Sequence, residues 1–209
     1  MTIDLGAAYG AARARINDLV SAPDVDPDLV VPATPEWTVH DVVAHLSGIA
    51  VDGTTGNMEG APGDAWTAAQ VERNAHRSIA EMMDEWAQTG PLMEALLSSP
   101  AGTHASSAVI DIHTHEADLR HALGLSLDLP GEYLSWAADV LRDGFATKVA
   151  EAGLAPVQLA ASEVEWFRGR LGRRTAAEVV ALGLPEPSEP YLEAFFVFGH
   201  AEVSLGEHT

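Results

Sequence analysis

Nine histidines and 31 acidic residues share a chain of 209 residues that has no cysteine, so protein donors for a metal are limited to imidazole and carboxylate. An acidic residue stands four positions before a histidine at Glu36/His40, Asp41/His45, Glu72/His76 and Asp111/His115. On a helix each such pair projects from one face and can clasp one divalent ion. Spacing alone does not choose among the four. Position on the helical wheel helps: at 100° per residue Asp111, His115 and Asp118 form one column beside the apolar stripe Val109, Ile112, Leu119 and Leu123, where a cleft between helices opens. His45 borders the stripe of its own segment in the same way, whereas His40 lies close to a helix start and reads as a surface residue. The plainer reading of each histidine, a hydrogen-bonded residue on a helix flank, stays open at this point.

Glu116 falls inside the apolar stripe, where an unpaired carboxylate is costly to bury, and Arg120 four residues on is its natural partner. The pair reads as a charge-paired brace behind the metal column, the alternative being that Glu116 enters the metal shell.

The elements that must carry these residues are legible as helices. Apolar residues recur through Leu5, Ala8, Ala12, Ile16 and Leu19, after which four prolines in SAPDVDPDLVVPATPEW interrupt any helix. Thr38, followed by Asp41 three residues on, has the form of a capping box ahead of the stripe Val39, Val42, Val43, Leu46, Ile49 and Ala50. Beyond the Gly-rich GTTGNMEGAPGD, a third pattern through Trp66, Ile79, Met82, Met83 and Trp86 is expected to stop at Thr89-Gly90-Pro91. The fourth is expected over Ser106 to Leu123, ended by Gly124, and the fifth through Leu134, Leu141, Phe145 and Val149, with Gly153 as C-cap. PVQLAAS reads as a short strand, and EVEWFRGRLG, TAAEVVALGL and YLEAFFVFGHAEVSL as short helices. The fold expected is mainly α: an antiparallel four-helix bundle over residues 1–153 and a small, mostly helical C-terminal extension over 154–209.

A formal charge of −20 repels phosphate backbones and anionic lipid, so neither nucleic acid nor membrane is expected as a partner. No apolar run reaches the roughly 18 residues that cross a bilayer, and the first residues lack a signal-peptide pattern. The expectation is a cytoplasmic protein, monomer or homodimer.

Three segments, PEWTVHDVVAHLSG, DIHTHEADLRHALG and ASEVEWFRGRLGRRTAAEV followed by EPYLEAFFVFG, resemble in this order the mycothiol-dependent maleylpyruvate isomerase family of actinobacteria, within the DinB-like metal-binding superfamily. The resemblance runs over nearly the whole chain. It implies a DinB-like bundle that holds a divalent metal, zinc before nickel or iron, with the ligand roles falling on His45, Asp111 and His115. It also implies that mycothiol, a sugar-linked thiol, enters the site beside a small-molecule substrate, and that arginines matched to Arg173 and Arg174 are catalytic. Two departures stand out. Asp111 replaces a glutamate of the isomerase, and only a few residues separate the fifth helix from ASEVEWFRG, leaving little room for the hairpin of the family's C-terminal α/β domain.

The function expected is therefore a metal- and thiol-dependent isomerase or thiol transferase, in which a thiolate adds to an activated double bond or displaces a leaving group. Its rivals are a hydrolase using metal-bound water and a non-catalytic metal- or ligand-binding bundle whose ion is closed off by a fourth side chain such as Asp118.

Overall fold

In a computed structural model describing residues 2–207, the side chains of 103 and 104 excepted, α-helices open on polar capping residues at several places. Asp4 accepts the Ala7 amide at 3.0 Å and opens α1 (Leu5–Val20). Thr38 and Asp41 form the expected capping box of α2 (Val39–Thr55), and Ser78 with Glu81 forms another at α4 (Ile79–Leu97). Between these lies α3 (Asp64–Asn74), and α5 (Ser106–Ala122) follows a 3-10 turn over Pro100–His104. Next come α6 (Gly131–Glu151), α7 (Glu163–Arg170), α8 (Ala176–Val180) and α9 (Glu189–Phe195). The protein is mainly helical.

The third expected pattern is two helices, because Ser78 starts a new one after the turn at Asn74–Arg77. Nor does that second helix stop at Thr89-Gly90-Pro91; α4 runs on through Pro91 to Leu97. A helix-interior proline costs about 3 kcal/mol. Here the burial of Met93 and Leu97 beyond it, continuing the face of Met82, Met83 and Trp86, offsets that cost. Gly90 is bare because a Cβ there would lie 2.4 Å from Arg13 Nε of α1.

Residues Asp4–Leu125 form one compact unit. In it α1 packs against α4 and α5, and α2 against the same two helices, giving a four-helix bundle on which α3 rides by its contact with α2. Trp86 of α4 donates from Nε1 to the Tyr9 hydroxyl of α1 at 3.1 Å, closing the core. The proline-rich crossover is not strand, but a bridge between Val30 and Thr38 and the Val31 amide's bond to the Trp37 carbonyl at 2.9 Å fold it back on itself. Val31, fully buried, anchors it.

The second unit runs from Ser126 onward. The expectation placed α6 in the bundle, up to 153; its residues Ala138, Phe145 and Val149 instead share a core with Trp166 of α7, Val179 of α8 and Tyr191 and Phe195 of α9. PVQLAAS is irregular, and no strand occurs among the described residues. The helix foreseen in YLEAFFVFGHAEVSL ends early, at Phe195, because Phe196 is extended (φ −76°, ψ 130°).

Candidate metal centre

His45 lies two turns into α2 and is almost fully buried, while Asp111 and His115, four residues apart, project from one face of α5. Packing of α2 beside α5 brings the three together across 66 residues of sequence. One donor atom from each lies within 4.8 Å of the others, a spread that one ion can bridge. His45 Nε2 stands 3.4 Å from Asp111 Oδ2, and His115 Nε2 stands 3.7 Å from Asp111 Oδ1. Both imidazoles thus aim Nε2 at the same carboxylate. The Asp111 side chain keeps 33% of its exposure, although its Oδ2 is buried.

The other nitrogen of His45 is hydrogen-bonded away from the ion position, the usual outer shell of a metal-binding histidine, and that of His115 faces a carboxylate. His45 Nδ1 lies 2.8 Å from Gln70 Oε1, and Gln70 Nε2 donates to Asp52 Oδ2 at 2.8 Å. Asp52 Oδ1 further accepts from Asn57 at 3.0 Å and meets Arg73 Nη2 at 3.2 Å. Burial alone would raise the Asp52 pKa, but the bonds from Gln70, Asn57 and Arg73 hold it below the ordinary carboxylate value. His115 Nδ1 lies 3.1 Å from buried Asp118 Oδ2, close enough for electrostatic contact but without the alignment of a hydrogen bond.

Trp37, delivered by the folded-back crossover just before the α2 cap, covers both histidines. Its ring centroid is 5.1 Å from that of His45 and 5.7 Å from that of His115, and the two imidazoles meet edge to face at 5.2 Å.

The other candidates go elsewhere. Asp41 is engaged in the α2 cap, and His40 Nε2 pairs with the Arg77 carbonyl at 2.7 Å. Glu72 and His76 are exposed. His113, on the far side of its helix turn, bonds the Val109 carbonyl at 2.8 Å, and burial pushes its pKa down to about 4, so it stays neutral. Glu116 is fully buried and joins Arg120 as foreseen, at 3.2 Å, but its stronger partner is Arg15 of α1, which grips both carboxylate oxygens at 2.7 Å. It stands outside the metal group as a brace between α1 and α5.

Arg173 and Arg174 belong to the C-terminal unit, where both are buried. Arg173 donates to the Leu171 carbonyl at 2.5 Å. Arg174 makes a two-pronged pair with Glu165 at 3.0 and 3.1 Å and reaches Glu207 at 2.5 Å. Glu207 also accepts from Arg168.

Trp37, Asp52 and Gln70 were not among the residues expected at the site. Asp52 carried a readable sign: it lies seven residues after His45, two helical turns on, and so on the same side of an apolar helix. Gln70 and Trp37 depend on loops whose paths the sequence does not reveal.

A family model, the mycothiol maleylpyruvate isomerase N-terminal domain, matches residues 9–122, just over half of the chain. The match takes in every residue of the centre and leaves Arg173 and Arg174 outside. No curated protein and no solved structure matches the chain.

Proposed function

We propose that this chain, which belongs to the mycothiol maleylpyruvate isomerase N-terminal domain family, binds one divalent metal ion through His45, Asp111 and His115 and works with a mycothiol-type thiol as an isomerase or thiol transferase on a small molecule. The observation that carries this reading is the convergence of those three side chains from α2 and α5 within 4.8 Å. Two imidazoles and one carboxylate suit a borderline ion such as zinc and leave positions for outside ligands. An ion held there supplies the charge that lets a coordinated thiol lose its proton near neutral pH. The Asp111 side chain is partly exposed, and the Trp37 ring lies against both imidazoles. A chain without cysteine takes its sulfur from the small molecule. In this reading Arg173 and Arg174 serve the packing of the C-terminal unit, since both guanidinium groups are already engaged there.

Cobalt(II) substitution tests the reading, because sulfur bound to cobalt gives an intense near-ultraviolet charge-transfer band that nitrogen and oxygen ligands do not. Adding mycothiol, or its cysteine–glucosamine fragment, is expected to create that band in the parent and not in His45→Ala. His115→Ala should lose the metal and His40→Ala should keep it. A metal that stays spectrally silent at millimolar thiol rejects the thiol-dependent enzyme in favour of a hydrolase.

A further inference from the structure

We propose that Asp52 and Gln70 are positioning residues that fix His45 in its Nδ1–H tautomer, leaving Nε2 as a bare lone pair facing Asp111 and His115. The Asp52 carboxylate can only accept hydrogen bonds. Gln70 Nε2 therefore faces Asp52 Oδ2, at 2.8 Å, and Gln70 Oε1 must face the other way, toward His45 Nδ1 at 2.8 Å. An amide oxygen cannot donate, so the proton of that bond sits on Nδ1. A neutral imidazole carries one N–H, which leaves Nε2 unprotonated.

The surroundings hold this direction. Asn57 and Arg73 both address Asp52 Oδ1, so the other oxygen is the one presented to Gln70. Gln70 is itself fully buried, and Asn74, one turn on, pins α3 to the Ala44 carbonyl of α2 at 3.2 Å. Gly48, three residues after His45, gives α3 the room to approach: a Cβ there would lie 2.8 Å from Gln70 Cβ.

The proposal rests on the metal-site reading for its purpose, but the tautomer is a property of the metal-free chain and can be read there. Asp52→Asn is nearly isosteric yet should reverse the whole chain. Asn57 and Arg73, both donors, keep the residue-52 oxygen on their side and turn its new NH2 group toward Gln70. The Gln70 amide then flips, its nitrogen donates to His45 Nδ1, and the ring proton moves to Nε2, where it blocks a ligand. Gln70→Glu sets two carboxylates against each other. Combining it with Asp52→Asn restores the original direction, with amide 52 donating to carboxylate 70 and the latter accepting from Nδ1–H.

The experiment is 15N NMR of the histidine rings in chelator-treated full-length protein at about pH 9, well above the ordinary imidazole pKa of about 6.5. The expected result is Nδ1–H for His45 in the parent and the double variant, and Nε2–H in Asp52→Asn. Zinc affinity, measured by chelator competition, should fall about 10- to 100-fold in Asp52→Asn and return in the double variant. An Nε2–H parent, or an Asp52→Asn protein that keeps Nδ1–H, overturns the proposal. The parent spectrum decides by itself if a variant fails to fold. A parent in the Nδ1–H form whose His45 resonances ignore zinc would instead sink the metal reading and leave the relay standing.

Discussion

Glu116 has no solvent exposure and is held from two directions, by Arg15 of α1 and by Arg120 one turn along its own helix. Removing one partner of a buried pair leaves a carboxylate that the surrounding apolar atoms cannot solvate, which typically costs 3–5 kcal/mol. Arg15 supplies two bonds of 2.7 Å and Arg120 one of 3.2 Å, so the losses should be unequal. Arg15→Met is expected to destabilise the protein by about 3 kcal/mol and Arg120→Met by about 1 kcal/mol, read from urea unfolding, with metal content unchanged in both. Equal losses would show that the helix-internal pair matters as much as the one between helices. Only half of this arrangement was readable from the sequence. Arg120 lies at the four-residue spacing a helix makes adjacent, whereas Arg15 is 101 residues away and is brought near only by the packing of α1 on α5. The same division holds at the metal centre: the Asp111/His115 spacing is local, but Trp37 over the histidines and Gln70 behind His45 are products of tertiary structure.

Among the elements, α3 is the one whose place matters most for its size. Its approach to α2 depends on Gly48, where an added methyl would meet the root of the Gln70 side chain rather than a flexible tip. Gly48→Ala should therefore weaken zinc binding about tenfold, by displacing Gln70, even though alanine is the better helix former by about 1 kcal/mol. Chelator competition checks the first effect and thermal unfolding the second; unchanged zinc affinity would show that α3 can retreat without disturbing His45. The Thr38/Asp41 box made α2 legible, whereas the equally local Ser78/Glu81 box went unread and α4 was merged with α3. Pro91 misled because its local cost is overruled by burial of Met93 and Leu97, a term that belongs to the bundle. The division after Leu125 was equally hidden, because the apolar face of α6 looks the same whichever helices cover it.

Across the whole molecule, 31 acidic residues against 11 basic ones make buried carboxylates dependent on a few arginines. Burial would raise the Glu207 pKa, but bonding and charge from Arg168, then from Arg174, hold it below the usual value. An unfolded glutamate titrates near 4.3, so the stabilisation is complete above about that pH and is lost as pH falls from there through the lower folded value. Glu207→Gln should accordingly destabilise the C-terminal unit by about 3 kcal/mol at pH 7 and flatten its acid dependence below about pH 4, seen by urea unfolding across that range. A variant with the parent's acid profile would place the dependence on another carboxylate.

In the bundle unit, α3 packs against α2, makes no comparably extensive contact with another helix among the described residues, and bonds His45 through Gln70. Thermodynamic linkage is reciprocal: if a seated α3 favours the ion, the ion must favour a seated α3 by the same free energy. Backbone amides of residues 64–74 should then exchange with deuterium more slowly once zinc is added, while those of α1 buried against α4 exchange as before.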